Sequence, residues 1–276
     1  MNNIKLGNPL RSSFRIKNVA LMLFFSIFFM PQAVYTEIKN ENTIVEINYI
    51  AGQTSKNVYI QGALQFVLSP GWKTYWRNPG PFGIRPIIDW SESRNVQNIE
   101  FFWPTPKIFN QYEIPVIGYE DILTIPIEIT KISAKETAIL KIHLEFGVCS
   151  DICVLKTAQI NTPLQLPVPV ENIDLISKAF KTLPTNITEP FFSLSSCIIE
   201  KKSNDLIVIY SIQLSEFPKS KPSMIIEYTF SDKYLENQIM KIEGKKLMVT
   251  ASLKNIYKDE GIIERDRLNA LLILAN

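Results

Sequence analysis

The stretch NVYIQGALQFVL, Asn57 to Leu68, alternates without a break. Val58, Ile60, Gly62, Leu64, Phe66 and Leu68 fall on one face and mainly polar residues on the other, which is the period of two that a strand with one buried face requires. Thr43–Ile50 precedes it, and Ile99–Trp103, Ile122–Thr130 and Ala138–Phe146 follow as further strand candidates separated by turns rich in Pro, Gly, Asn and Ser. Many short strands without intervening helices predict an all-β sandwich or barrel.

The segment TPLQLPVPV, Thr162 to Val170, holds three prolines in nine residues. Proline lacks the N–H that a central strand or a helix interior needs, so this segment is expected to be an extended linker and a domain boundary. Beyond it Ile173, Leu175, Ile176, Ala179 and Phe180 recur at helical spacing until Leu183 and Pro184, predicting one short helix. Strand patterns resume at Phe191–Ile199, Leu206–Gln213, Met224–Phe230, Lys246–Leu253 and Ala270–Leu274. The last of these is short and is expected at a sheet edge.

Residues 1–35 read as a secretory signal peptide. Arg11, Arg15 and Lys17 precede the apolar run VALMLFFSIFFM, Val19 to Met30, and PQAVYTE follows it. The run is about 12 residues where a bilayer span needs roughly 20, so a cleaved signal fits better than a permanent anchor. The expected organisation is a signal peptide (1–35), a first β-sandwich (36–168), a linker with a short helix (169–186) and a second, smaller β domain (187–276). Export would place the body of the chain and its cysteines outside the reducing cytosol, where disulfides persist.

The formal charge of +2 belongs to the N-terminus. The first 35 residues hold four basic side chains and no acidic one, and the remainder carries 25 basic against 27 acidic residues. Such a body lacks the basic surface that phosphate neutralisation demands, so no nucleic-acid partner is expected. The single histidine, His143, excludes the HExxH motif. Phosphate-binding and dinucleotide-binding glycine loops and the GxSxG elbow are absent too. No small-molecule cofactor and no metal are expected. Asn186-Ile187-Thr188 fits the N-glycosylation pattern, which is common by chance.

The chemistry-bearing feature is GVCSDIC, Gly147 to Cys153. In an extended strand the Cys149 and Cys153 Cα atoms would lie roughly 13 Å apart, whereas a disulfide needs about 4.4 to 6.8 Å. Ser150 to Ile152 must therefore turn tightly if the pair is bonded. Closing about five residues contributes roughly 2 kcal/mol, against about 4.7 for a loop of 100, and a short bridge at a loop is more easily reduced. Redox exchange, a structural bridge and a metal site all remain open on these residues alone. Asp151 raises thiol pKa values by like-charge repulsion, which favours a disulfide attacked by a partner's thiolate. Cys197 reads as a small buried apolar residue, and His143 as a solvated strand residue.

The blocks GWKTYWRNPG (Gly71 to Gly80), IRPIIDW (Ile84 to Trp90), FFWPTP (Phe101 to Pro106), IGYED (Ile117 to Asp121) and GVCSDIC occur in an order that resembles the N-terminal periplasmic domain of DsbD-type thiol:disulfide interchange proteins. The nearest form is the one found in suppressor-of-copper-sensitivity reductases and in standalone exported relatives, and the likeness spans about Val45 to Pro167, with the second domain similar in general shape alone. It implies an immunoglobulin-like β-sandwich whose cysteine pair takes electrons from a membrane-embedded thiol carrier or a thioredoxin-fold protein and passes them to periplasmic disulfide-containing clients. By position Cys149 and Cys153 match the redox pair, with Cys153 forming the mixed disulfide. Two departures are visible: the best-known members space their cysteines more widely, and Pro81 stands where relatives of this form often carry an acidic residue. The aromatic group Trp72, Tyr75, Trp76, Trp103 and Tyr119 reads either as core packing or as a shield over the pair, for which Tyr75 and Tyr119 are suited because a hydroxyl tolerates partial exposure. A clamp on a recognition loop is the rival to redox exchange.

Overall fold

The computed structural model describes residues 44–56, 58–80, 83–111, 114–164, 168–186, 191–203, 205–228, 235–253 and 267–274. The signal-peptide segment 1–35, Pro81 and residues 187–188 of the glycosylation pattern lie outside them.

The first half is built from β1 (Val45–Ser55), β2 (Tyr59–Leu68), β3 (Lys73–Tyr75), β4 (Ile87–Asp89), β5 (Val96–Phe101), β6 (Lys107–Gln111), β7 (Ile114–Glu120), β8 (Ile122–Lys131), β9 (Ala138–Cys149) and β10 (Cys153–Leu164). One sheet runs β1-β2-β8-β5; the other runs β10-β9-β3-β7-β6, with β4 also against β9. All these pairings are antiparallel. Alternation decides what each strand buries. Ile60, Leu64, Phe66 and Leu68 of β2 face Leu140, Ile142, Leu144, Phe146 and Val148 of β9 across one core, and Phe66 meets Phe146 edge to face at 5.3 Å. Burying each such side chain is worth about 1.5–3 kcal/mol, so two facing sheets are the arrangement that covers both apolar faces. The fold is the all-β sandwich that the alternation predicts, of the immunoglobulin-like kind that the resemblance implies.

The proline-rich segment departs from the linker expectation at its start. β10 continues to Leu164, and Pro163 pairs with Ile139. β10 is the edge of its sheet, where a missing N–H breaks no ladder bond. The helix α1 (Val170–Phe180) begins directly after Pro169, ahead of the periodic residues, and buries Ile176 and Ala179. It lies across β1, β2 and β8. Gly52 of β1 permits this approach, because a Cβ there would sit 2.7 Å from Ile176 Cδ1 and 2.4 Å from the Gln61 carbonyl oxygen.

The second half contains β11 (Phe192–Lys202), β12 (Asp205–Leu214), β13 (Pro222–Tyr228), β14 (Glu236–Glu243), β15 (Lys246–Leu253) and β16 (Leu268–Leu274). One sheet runs β11-β12-β15-β14, and β13 pairs with β16 in a two-stranded ribbon. Successive residues of β13 point into different cores. Met224, Ile226 and Tyr228 join Val208, Leu247 and Val249 in the second core, while Ile225, with Leu271 and Ile273 of β16, packs against the first. Glu227 shares the parity of Ile225, and its carboxylate takes two hydrogen bonds from Arg77, from Nε at 2.9 Å and from Nη2 at 2.7 Å.

Candidate redox site

The β9–β10 hairpin brings the cysteines together. Cys149 closes β9, Cys153 opens β10, and the two stand opposite each other in the ladder. Ser150, Asp151 and Ile152 make the turn, in which the Ser150 N–H donates to the Ile152 carbonyl at 3.0 Å. The Cα atoms are 4.1 Å apart and the sulfurs are bonded. Directly opposite antiparallel residues approach to about 4.5 Å in the closer kind of pair, so the hairpin itself supplies the proximity.

The two sulfurs have different surroundings. Cys149 is 3% exposed, whereas Cys153 is exposed at the surface. The Tyr75 hydroxyl lies 2.8 Å from Cys149 Sγ and 3.3 Å from Cys153 Sγ; because a disulfide sulfur carries no proton, the hydroxyl is the donor. Val116, Tyr75 and Cys149 form a small buried cluster with half-buried Ile84 against it.

Strand parity explains which aromatics reach the pair. On β3 and β9, Lys73 stands opposite Cys149 and Thr74 opposite Val148, so Tyr75 continues on the cysteine face while Thr74 and Trp76 turn inward. Tyr75 also pairs with Gly118, and Thr74 with Tyr119. Trp76, 1% exposed, and Tyr119 belong to the sandwich core. The Tyr119 hydroxyl donates to the Pro104 carbonyl at 2.7 Å, and its ring stacks on Trp103. Of the aromatic residues considered as a shield, Tyr75 touches the sulfurs, and Trp76 and Tyr119 act as packing. Asp151 is exposed in the turn.

Gly147 completes the arrangement. A Cβ there would lie 2.6 Å from Ile84 Cβ and 2.8 Å from Tyr75 Cε2, so the missing side chain is the space that the tyrosine ring occupies. Thr74 Oγ1 donates to the Gly147 carbonyl at 2.9 Å, tying β3 to β9 from the inner side. A pocket of about 110 Å³ opens beside Cys149, lined by Lys73, Tyr75, Phe109, Val116, Gly118 and Ser150. Lys73 Nζ sits 5.3 Å above the Phe109 ring. Sequence reasoning passed over Gly147, Val116 and Ile84; continuing the alternation of β9 to Gly147 and Cys149 is the signal that places the glycine on the cysteine face.

Residues 43–165 match the family model of the thiol:disulfide interchange protein DsbD, N-terminal. This stretch is similar to the DsbD N-terminal domain. Among solved structures, the N-terminal periplasmic domain of ScsB from Proteus mirabilis matches with a TM-score of 0.63 over 85% of this chain and 90% of that one, at 24% identity. That likeness establishes a shared fold, and its coverage reaches past the DsbD N-terminal-type stretch into the second half. No curated protein matches the chain.

The other candidate ligands stand apart from the pair. His143 is exposed on β9, 3.7 Å from Glu145 Oε1. Cys197 on β11 is partly buried against the second core. Among the described residues no group of three or more His, Cys, Asp or Glu is arranged to hold a metal ion, and no helix among them is long and apolar enough to cross a membrane.

Burial holds the Tyr49, Tyr75 and Tyr119 hydroxyls above the ordinary tyrosine pKa. For a group raised in the folded state, stability is constant below the unfolded value and is lost as pH rises beyond it. Stability to urea is therefore expected to be flat up to about pH 10 and to fall above it. Ultraviolet phenolate absorbance should show these three ionising together with unfolding; early ionisation of all ten tyrosines in the folded protein would contradict this.

Proposed function

We propose that the chain is an exported thiol–disulfide interchange protein, which relays electrons through Cys149 and Cys153 from a membrane-embedded thiol carrier or a thioredoxin-fold protein to disulfides of envelope proteins. The observation that carries this reading is the asymmetry of the bonded pair, one sulfur exposed and the other buried beneath a hydroxyl. A structural staple has no use for that asymmetry. An exchange site does, because one sulfur must be attacked and the other must leave.

An incoming thiolate attacks Cys153 Sγ, forming a bond between the two proteins while the Sγ–Sγ bond breaks and its electron pair leaves on Cys149 Sγ. The Tyr75 O–H stabilises this thiolate by hydrogen bonding. Its raised pKa, against about 8.5 for an ordinary thiol, makes it a donor of a hydrogen bond and not of a proton. The donor's second thiolate then attacks its own sulfur in the mixed disulfide and releases Cys153, leaving the donor oxidised and the pair reduced by two electrons. Cys153 next attacks a client disulfide, and Cys149 resolves that intermediate, which restores the intramolecular bond and leaves the client reduced.

The surroundings of Cys153 support protein partners. Ile152, Leu155 and Ile87 are 65%, 57% and 58% exposed; Leu155 stands opposite Gly147 and Ile87 opposite Glu145 on the cysteine face. The export layout of residues 1–35 and the periplasmic origin of the matching ScsB domain support an envelope location.

Tyr75→Phe removes the hydrogen bond to a developing charge, worth about 1.5 kcal/mol or more, and is expected to slow reduction by dithiothreitol about tenfold. Unchanged kinetics would remove the tyrosine from the mechanism. The function itself is tested by equilibrating the protein in glutathione buffers and mapping alkylated thiols by peptide mass spectrometry. A Cys149–Cys153 couple titrating well above about −300 mV supports exchange. A bond that survives the whole range makes it a clamp and overturns the reading.

A further inference from the structure

We propose that Glu227, in the second half of the chain, is a positioning residue for the redox pair, acting through Arg77 on the end of β3 and so on the Tyr75 hydroxyl. The proposal rests on the reading of Cys149 and Cys153 as an exchange pair and gives the second half a part in it.

β3 is three residues long, and Tyr75 is its last. Beyond it the chain leaves the sheet with Trp76 buried in the first core. The Trp76 N–H donates to the Ile117 carbonyl at 3.0 Å, and the Pro79 carbonyl accepts from the Ile117 N–H at 3.2 Å. Arg77, between them, reaches out of the first half: its guanidinium forms the two-pronged bond to Glu227 and lies 5.2 Å from the Trp76 ring. The chain later returns to the pair at Ile84, which packs on Tyr75 and Cys149. Of the three residues that enclose the buried sulfur, Tyr75 thus lies two positions from the arginine that Glu227 holds.

Stability alone does not account for this carboxylate. Glu227 is 6% exposed, between apolar neighbours on a strand, and replacing a buried ion pair by well-packed apolar side chains is often neutral or stabilising. What the pair does supply is direction, since a planar guanidinium meeting a carboxylate through two bonds fixes orientation as well as distance. The orientation it fixes is that of the residue two places from Tyr75. The hydroxyl lies 2.8 Å from one sulfur and 3.3 Å from the other, so the direction of its strand end decides which sulfur it serves and at what angle.

The test is a double-mutant cycle on the full chain without its first 35 residues, using dithiothreitol as the reductant and the pH profile of Cys149 alkylation after reduction as a second readout. Tyr75→Phe should slow reduction about tenfold, and Glu227→Gln about threefold or more. Both should shift the Cys149 alkylation profile towards higher pH. In the Tyr75→Phe background Glu227→Gln should change the rate by less than about 1.5-fold, because the group it positions is gone. Arg77→Lys keeps the charge opposite Glu227 but loses the fork, and it gives the same comparison should Glu227→Gln fail to fold, as judged by circular dichroism. The proposal is overturned if the folded variants reduce at the parental rate, or if their effect is equal with and without the tyrosine hydroxyl. A Tyr75→Phe variant indistinguishable from the parent overturns it as well, and the glutathione titration then decides separately whether the pair still exchanges.

Discussion

Cys149→Ser is expected to hold a thioredoxin-fold partner in a stable mixed disulfide through Cys153, whereas Cys153→Ser is expected to trap none. Each variant should lose electron transfer by at least about a thousandfold, because neither can complete both exchange steps. The difference between them comes from access. Cys153 stands at the start of an exposed edge strand, open to a partner's thiolate, while Cys149 is enclosed by Tyr75, Val116 and Ile84. In the Cys149→Ser protein the remaining thiol can meet a partner but has no resolving neighbour, so the intermediate accumulates. In the Cys153→Ser protein the remaining thiol is buried, and its alkylation by iodoacetamide should be slower than that of Cys153 by about two orders of magnitude, following thiolate exposure. Non-reducing electrophoresis of the two variants, each mixed with a thioredoxin-fold protein that keeps one cysteine, activated as its disulfide with thionitrobenzoate, reads the outcome, because the free thiolate attacks the partner's sulfur and thionitrobenzoate leaves. Equal trapping by both would mean that the buried sulfur is as reachable as the exposed one, and the assignment of attacked and leaving sulfurs would be wrong.

The sandwich was legible wherever burial on one face imposes a period of two. β2, β8 and β15 fall where Asn57–Leu68, Ile122–Thr130 and Lys246–Leu253 place them. The strands that escaped include very short ones and one that carries a proline. β3 and β4 have three residues each, too few for alternation to register, and β10 carries a proline that only an edge position tolerates. The site was legible in its cysteines and not in its lining. GVCSDIC announces a turn between two thiols, but the choice of Tyr75 over Tyr119 depends on the register between β3, β7 and β9. Two tyrosines 44 positions apart in sequence look alike until the sheet gives them opposite faces. The Arg77–Glu227 bond was out of reach for a related reason: it joins residues 150 apart, and nothing local to either marks the other.

Gly118→Ala is expected to cost about 3 kcal/mol, the upper end of ordinary overpacking, and to lower the melting temperature by about 6–12 °C for a protein of this size. The argument is steric. Gly118 lies on β7 between Lys107 of β6 and Tyr75 of β3, and a Cβ added there would fall 2.1 Å from the Thr74 carbonyl oxygen and 3.2 Å from the Tyr75 Cα. Both neighbours are backbone, so no side-chain rotation relieves the contact; β3 must move away from β7. Thr74 immediately precedes Tyr75, and the displacement carries the hydroxyl off the sulfur, so reduction by dithiothreitol should slow as it does in Tyr75→Phe. Gly71→Ala is the control. Gly71 has φ +80 and nothing within 4 Å of an added Cβ, so its substitution costs only left-handed backbone strain, about 1–2 kcal/mol, and should leave the exchange rate unchanged. Urea denaturation at constant slope separates the two. If Gly118→Ala unfolds at the same midpoint as Gly71→Ala and reduces at the parental rate, then the close approach of β3 to β7 is not what sets the tyrosine over the disulfide.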